Sequence, residues 1–145
     1  MAIDPELVGR WQTTSMEQRY DDGRVVVPFG KDLEGFLQYS ADGYMCGLMQ
    51  RSGRTPFTSG GQWTASDEEK ARAYDNFLTY SGRWEVKPDN LLLHHIEISL
   101  FPNWIGATQS RVYKLMGDEL EITARIEPET PMARTSYLAF RRVGP

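Results

Sequence analysis

The chain has 145 residues, 40% of them hydrophobic, 12% aromatic and 25% charged, with a net charge of −4 at neutral pH. That length supports one domain over residues 1–145 with a core of its own, and the acidic balance lacks the basic stripe of a nucleic-acid binder. Cys46 has no cysteine partner, no apolar run is long enough to span a membrane, and residues 1–20 lack a signal-peptide pattern, so a cytoplasmic protein without membrane or nucleic-acid partners is expected.

Short β-prone runs alternate with turn signals, as in an antiparallel meander. Gly9-Arg10-Trp11 opens the first run: the glycine permits a tight turn, and the indole is large enough to plug the base of a barrel. Trp11–Tyr20 reads as a strand, Asp21-Asp22-Gly23 as its turn and Val25–Val27 as the return. Gly35–Tyr39 and Tyr44–Gln50 flank Ser40-Ala41-Asp42-Gly43, a hairpin signature. Ser66-Asp67-Glu68-Glu69 is a capping box, and Ala71, Tyr74, Phe77 and Leu78 follow at helical spacing, so a helix of about three turns is expected near residues 66–80. It either packs on the barrel wall through Tyr74, Phe77 and Leu78 or covers the mouth as a lid.

Tyr80–Val86 and Leu91–Leu100 flank Pro88-Asp89-Asn90, and Arg111–Met116 and Glu119–Ile126 flank Gly117-Asp118. Thr135–Arg142 closes the chain, and an arginine of Arg141-Arg142 can stack on Trp11 and satisfy nearby carbonyls. The expected fold is all-β: an antiparallel barrel of eight to ten strands, closed by the first and last runs, with one inserted helix.

Because side chains alternate along a strand, hairpin register decides what lines the interior. A two-residue loop at Gly117-Asp118 pairs Leu115 with Leu120, Tyr113 with Ile122 and Arg111 with Ala124, which turns Arg111 inward and leaves Lys114 and Glu121 outside. A cation on an apolar face needs a partner, so Arg111 either holds a carboxylate, enolate or carbonyl oxygen of a ligand or forms an internal salt bridge. A three-residue loop at Pro88-Asp89-Asn90 sets His94 opposite Trp84, Tyr80 opposite Ile98, His95 opposite Arg83 and Glu97 opposite Ser81. Folding the following hairpin symmetrically sets Ile98 beside Arg111 and Ile96 beside Tyr113, which favours His94, Ile96 and Ile98 inside. A shift of one residue gives the role to His95 with Glu97.

His94 and His95 are the only histidines, and neighbours on a strand point opposite ways, so no metal site and no cofactor are expected. A single histidine in an apolar cavity serves as general acid or base, or is a satisfied buried residue. The expected cavity is lined by Tyr80, Trp84, Tyr113, Leu115 and Ile122, with His94 and Arg111 as its polar points and Tyr80 or Tyr113 as a further proton donor. In Pro102-Asn103-Trp104, Asn103 offers a two-way amide, and Trp104 a flat surface that seals the barrel or stacks on a guest.

The stretch from His94-His95-Ile96-Glu97 through Ser99-Leu100-Phe101-Pro102-Asn103-Trp104-Ile105-Gly106 to Gln109-Ser110-Arg111 resembles the signature of a bacterial and fungal lipocalin-like family. Leu7–Trp11, Gly35–Met45 and Tyr80–Val86 are similar to further landmarks of that family. The resemblance implies a calycin-type barrel and points to His94, Asn103, Trp104, Gln109 and Arg111. It implies one of two activities. The first is a cofactor-independent isomerase, cyclase or lyase of secondary metabolism acting on a hydrophobic carbonyl-containing substrate, for which the inward reading of the strands, not the resemblance, assigns His94 as acid/base and Arg111 as holder of an oxyanion. The alternative is a non-catalytic carrier of a small hydrophobic or aromatic molecule. Whether the chain works alone or as a homodimer stays open.

Overall fold

The computed structural model describes residues 2–145. A short 3-10 turn, Pro5–Leu7, leads into β1 (Gly9–Tyr20), followed by a two-residue β2 (Val25–Val26), β3 (Glu34–Tyr39) and β4 (Tyr44–Gln50). After α1 (Asp67–Asp75) come β5 (Phe77–Lys87) and β6 (Leu91–Ser99), a 3-10 turn at Pro102–Trp104, β7 (Thr108–Met116), β8 (Glu119–Ile126) and β9 (Arg134–Gly144). The strands form one antiparallel sheet in the order β2-β1-β3-β4-β5-β6-β7-β8-β9, and β1 also pairs with β9. Eight strands therefore close into a barrel with β2 appended to β1. No described helix is long and apolar enough to cross a membrane, which says nothing about strands.

One end of the barrel is plugged. Trp11 is fully buried and its indole N–H donates to the Leu7 carbonyl at 2.9 Å. Arg142, opposite it on β9, stacks over the ring at 4.2 Å and donates to the carbonyls of Val8 and Glu6. Gly9 has φ +134°, and a Cβ there would stand 2.7 Å from the Gly144 carbonyl oxygen, so the two chain ends close together only around a glycine. The hairpin loops at residues 40–43, 88–90 and 117–118 lie at this end. Asp89 and Asn90 adopt φ of 68° and 58°, the left-handed region those two residue types tolerate. The longer connections, which carry α1, Phe29 and Trp104, gather at the opposite mouth.

The Gly117-Asp118 hairpin pairs Tyr113 with Ile122 and Leu115 with Leu120, as its loop length dictates. The β5–β6 hairpin pairs Trp84 with His94 and Arg83 with His95, then departs from simple counting. A β-bulge leaves Glu97 unpaired, so Ser81 meets Ile98 and Tyr80 meets Ser99, rather than Glu97 and Ile98. The bulge turns Ile98 outward, where it is 71% exposed. It forms around Gly82, whose missing Cβ would overlap the His95 carbonyl oxygen. Between β6 and β7 the register also differs: Leu92, not Ile98, lies opposite Arg111, and Leu91 opposite Val112. The shift is six residues; being even, it leaves His94 and Ile96 inside as expected, and among the residues expected inward on β6 only Ile98, beyond the bulge, changes face.

The helix is shorter than its spacing suggests. Ser66 caps it, accepting from the Glu69 amide at 3.2 Å, but it ends at Asp75, and Phe77 and Leu78 begin β5. Tyr74 is exposed and does not pack on the wall. The buried helix residue is Glu69, whose carboxylate accepts from the amides of Thr58 and Ser59 and the Ser59 hydroxyl, fastening the β4–α1 connection to the helix.

Candidate functional site

Inside the barrel, between the plugged end and the mouth, lies a cavity of about 230 Å³. Its walls are largely apolar, with Met16, Phe29, Leu37, Met49, Ile122 and Phe140 among them. Gly47, on the inner face of β4, supplies part of the space: a Cβ there would touch Leu37 and approach the Tyr80 ring. Trp104 stands at the mouth in edge contact with Tyr80, 5.8 Å between ring centroids, and with Phe101 at 5.3 Å.

His94 is 1% exposed and held at both ring nitrogens: Nε2 lies 2.7 Å from the Tyr39 hydroxyl, and Nδ1 lies 3.2 Å from that of Tyr80. Burial, with the positive charge of Arg111 nearby, pushes its pKa well below the usual 6.5, so the imidazole is neutral at physiological pH. Burial likewise raises the Tyr39 phenol well above its usual value. Arg111, on β7, is 7% exposed and donates to the Gln109 side-chain oxygen. Among the described residues it forms no ion pair with a carboxylate. The cavity's other arginine, Arg134 on β9, differs: it is bonded to Glu127 at 2.7 Å and to the Gln18 side-chain oxygen at 2.9 Å.

Thr13 on β1 also lines the cavity, and its buried hydroxyl has no hydrogen-bond partner among the described residues. β1 lies four strands from β6 in either direction around the barrel, so Thr13 and His94 occupy opposite walls.

The expected site residues divide. Tyr80, His94, Trp104, Arg111 and Ile122 come together on the cavity wall. Trp84, Tyr113 and Leu115 have the expected inward orientation but belong to the packed floor. There the Trp84 indole N–H donates to the Ser40 carbonyl at 3.0 Å. The Tyr113 hydroxyl donates to Asp4 at 2.9 Å, and burial with that carboxylate raises the phenol's pKa to about 12. Tyr113 is therefore committed to the N-terminal turn and is not a free proton donor in the cavity. Asn103 is exposed on its 3-10 turn and does not line the cavity.

The alternative pair fails on placement. His95 lies on the outer wall, with Nδ1 2.8 Å from the Thr108 hydroxyl and Nε2 3.5 Å from Glu85, while Glu97 pairs with Arg83 at 3.7 Å. Among the described residues no three His, Cys, Asp or Glu side chains converge as a metal site. Sequence reasoning missed Tyr39, Thr13, Gln18 and Ser136. The first is an inward residue of a correctly expected strand, and its position two residues beyond Leu37 was the available signal.

Residues 8–143 match the family described as a lipocalin-like domain, nearly the whole chain. The chain belongs to the lipocalin-like domain family. Over 90 residues this lipocalin-like domain is 37% identical to a protein of Aspergillus oryzae named the 4'-hydroxy-3'-methoxypropiophenone carrier protein ppsC, covering 55% of the present chain and 79% of that one. Among solved structures, the lipocalin-like domain is similar to a lipocalin-like protein from Bacteroides uniformis at 15% identity and a TM-score of 0.47, over 95% of this chain and 99% of that one.

Proposed function

We propose that this protein binds, as a carrier, one small aromatic molecule bearing a carbonyl oxygen, with the ring among the apolar walls and the oxygen facing Arg111 and Tyr80. The observation that carries this reading is Arg111, a buried cation on a cavity wall with no carboxylate partner among the described residues. A guanidinium so placed is costly unless something in the cavity accepts its hydrogen bonds. A carbonyl oxygen is the acceptor that a mainly apolar ligand can provide.

The volume of about 230 Å³ lies below the roughly 300–1,000 Å³ typical of sites for drug-sized ligands. That favours a single-ring molecule over a polycyclic one. The name of the Aspergillus oryzae relative, which specifies carriage of a single-ring aryl ketone, supports the same class.

Carriage is favoured over a cofactor-independent isomerase, cyclase or lyase by the state of His94. Both its nitrogens are engaged by tyrosines, so neither is open to take a proton from a ligand carbon directly. Titration of protein tryptophan fluorescence with propiophenone tests the reading, since Trp104 lines the cavity. Saturable 1:1 binding of the ketone, weakened at least about tenfold in Arg111→Met, is expected. Equal affinity for propylbenzene, which has the ring and chain without the oxygen, would remove the carbonyl from the proposal. Turnover of a carbonyl substrate that disappears in His94→Phe would restore the enzyme reading.

A further inference from the structure

The geometry points to Tyr39 as a positioning residue for the ligand: by fixing the tautomer of His94, it makes the Tyr80 hydroxyl a hydrogen-bond donor to the cavity. This rests on the proposed binding of a carbonyl compound and specifies which group on the protein, besides Arg111, selects for it.

A neutral imidazole has one N–H and one lone pair, so of the two tyrosines bonded to His94, one donates and the other accepts. Two arrangements are possible. In the first, the Tyr39 O–H donates to Nε2, Nδ1–H donates to the Tyr80 oxygen, and the Tyr80 proton is left for an acceptor in the cavity. In the second, the Tyr80 O–H donates to Nδ1, Nε2–H donates to Tyr39, and the Tyr39 proton is left over.

The two leftovers differ in cost. Tyr39 is 1% exposed and its hydroxyl has no bonding partner other than His94 among the described residues, so its proton would be buried and unpaired. Tyr80 is partly exposed and lines the cavity, where a ligand or water meets its proton. The distances run the same way: the bond to Tyr39, at 2.7 Å, has the length of one donated by a hydroxyl, and the bond to Tyr80, at 3.2 Å, that of one donated by a ring N–H. Tyr39 lies outside the set of residues lining the cavity. Its effect on the ligand passes through His94.

The test combines the ring tautomer with a split between ligands. In the parent protein, 15N NMR of His94 is expected to show Nδ1 protonated and Nε2 bare. In Tyr39→Phe the Nδ1–H form is expected to lose its dominance, because no hydroxyl then donates to Nε2 and the Tyr80 hydroxyl is free to donate to Nδ1. That variant should bind propiophenone about three- to tenfold more weakly, the range of one net hydrogen bond, and propylbenzene as the parent does. Tyr80→Phe should show the same split, and the double variant should lose no more than Tyr80→Phe alone. Near-UV circular dichroism of each variant checks that the core packing is kept.

The assignment is overturned if parent His94 carries its proton on Nε2, or if Tyr39→Phe weakens both ligands equally, which a merely structural role would do. Should the parent bind neither compound, the binding reading fails and the ligand half of the assignment fails with it. The tautomer measurement still decides whether Tyr39 sets the state of His94.

Discussion

Replacing Arg111 with methionine separates the proposed ligand role of this residue from its part in the fold. In the free protein the guanidinium is 7% exposed, donates to Gln109 and has no carboxylate partner among the described residues. Methionine is shorter but likewise unbranched and flexible, fills irregular space and carries no charge. Exchanging buried charge for apolar side chains of similar volume is neutral to stabilising by about 1–4 kcal/mol. The Gln109 amide loses its partner, which takes back about 1 kcal/mol, since Gln109 is half-buried and turns to water. The net expectation lies between a loss of about 1 kcal/mol and a gain of about 3 kcal/mol, the latter up to roughly 9 °C in Tm for a chain of this size. Binding moves the other way: loss of a charge-assisted hydrogen bond, about 1.5–3 kcal/mol, weakens affinity by about 10- to 150-fold. Urea unfolding followed by circular dichroism reads the first quantity, and fluorescence titration with propiophenone the second. A variant destabilised by more than about 1 kcal/mol, or one that binds the ketone as tightly as the parent, refutes the assignment of Arg111 as a ligand-directed cation.

Three further outcomes are expected. Thr13→Val removes a buried hydroxyl with no partner among the described residues while keeping the branched shape, so urea unfolding should show a gain of about 1 kcal/mol. Gly82→Ala places a methyl group against the His95 carbonyl at the β5–β6 bulge and should cost at least about 2 kcal/mol by the same measurement. The Glu69 carboxyl is lowered from 4.5 to about 2, first by the Ser59 hydroxyl and then by the amides of Ser59 and Thr58. Its contribution is therefore fully present above pH 4.5 and lost as pH falls towards 2. Hydrogen exchange at Thr58 and Ser59 should accelerate across that window, relative to the pH dependence of unstructured amides, and should already be fast at pH 5 in Glu69→Gln.

The barrel was legible because its signals are local. Gly117-Asp118 and Pro88-Asp89-Asn90 set their hairpins by loop length, and the Trp11–Arg142 closure could be inferred from the residues at the two ends. Two features were not. The bulge at Glu97 needs the close approach of Gly82 to a neighbouring strand, and a glycine in a strand announces a bulge without saying which partner residue is left over. The helix spacing through Phe77 and Leu78 was real, but β4 offered those residues ladder partners in Gln50 and Met49, and sheet pairing took precedence over helical periodicity.

The site was half legible for a related reason: alternation along a strand fixes the face of a residue but not its depth. Trp84 and His94 are cross-strand partners, both inward, yet the indole reaches down to the Ser40 carbonyl while the imidazole meets the cavity wall. Tyr39 escaped notice because its contact with His94 spans the barrel interior from β3 to β6, a meeting set by strand tilt and shear rather than by any spacing in the chain. The two cavity arginines make the same point chemically. Arg111 and Arg134 both line the interior, but only Arg134 is neutralised, by Glu127, a residue of the mouth at φ +48°. What singles out Arg111 for the proposed ligand contact is therefore not its identity or its face. It is that the fold supplies Glu127 to one arginine and, among the described residues, no carboxylate to the other.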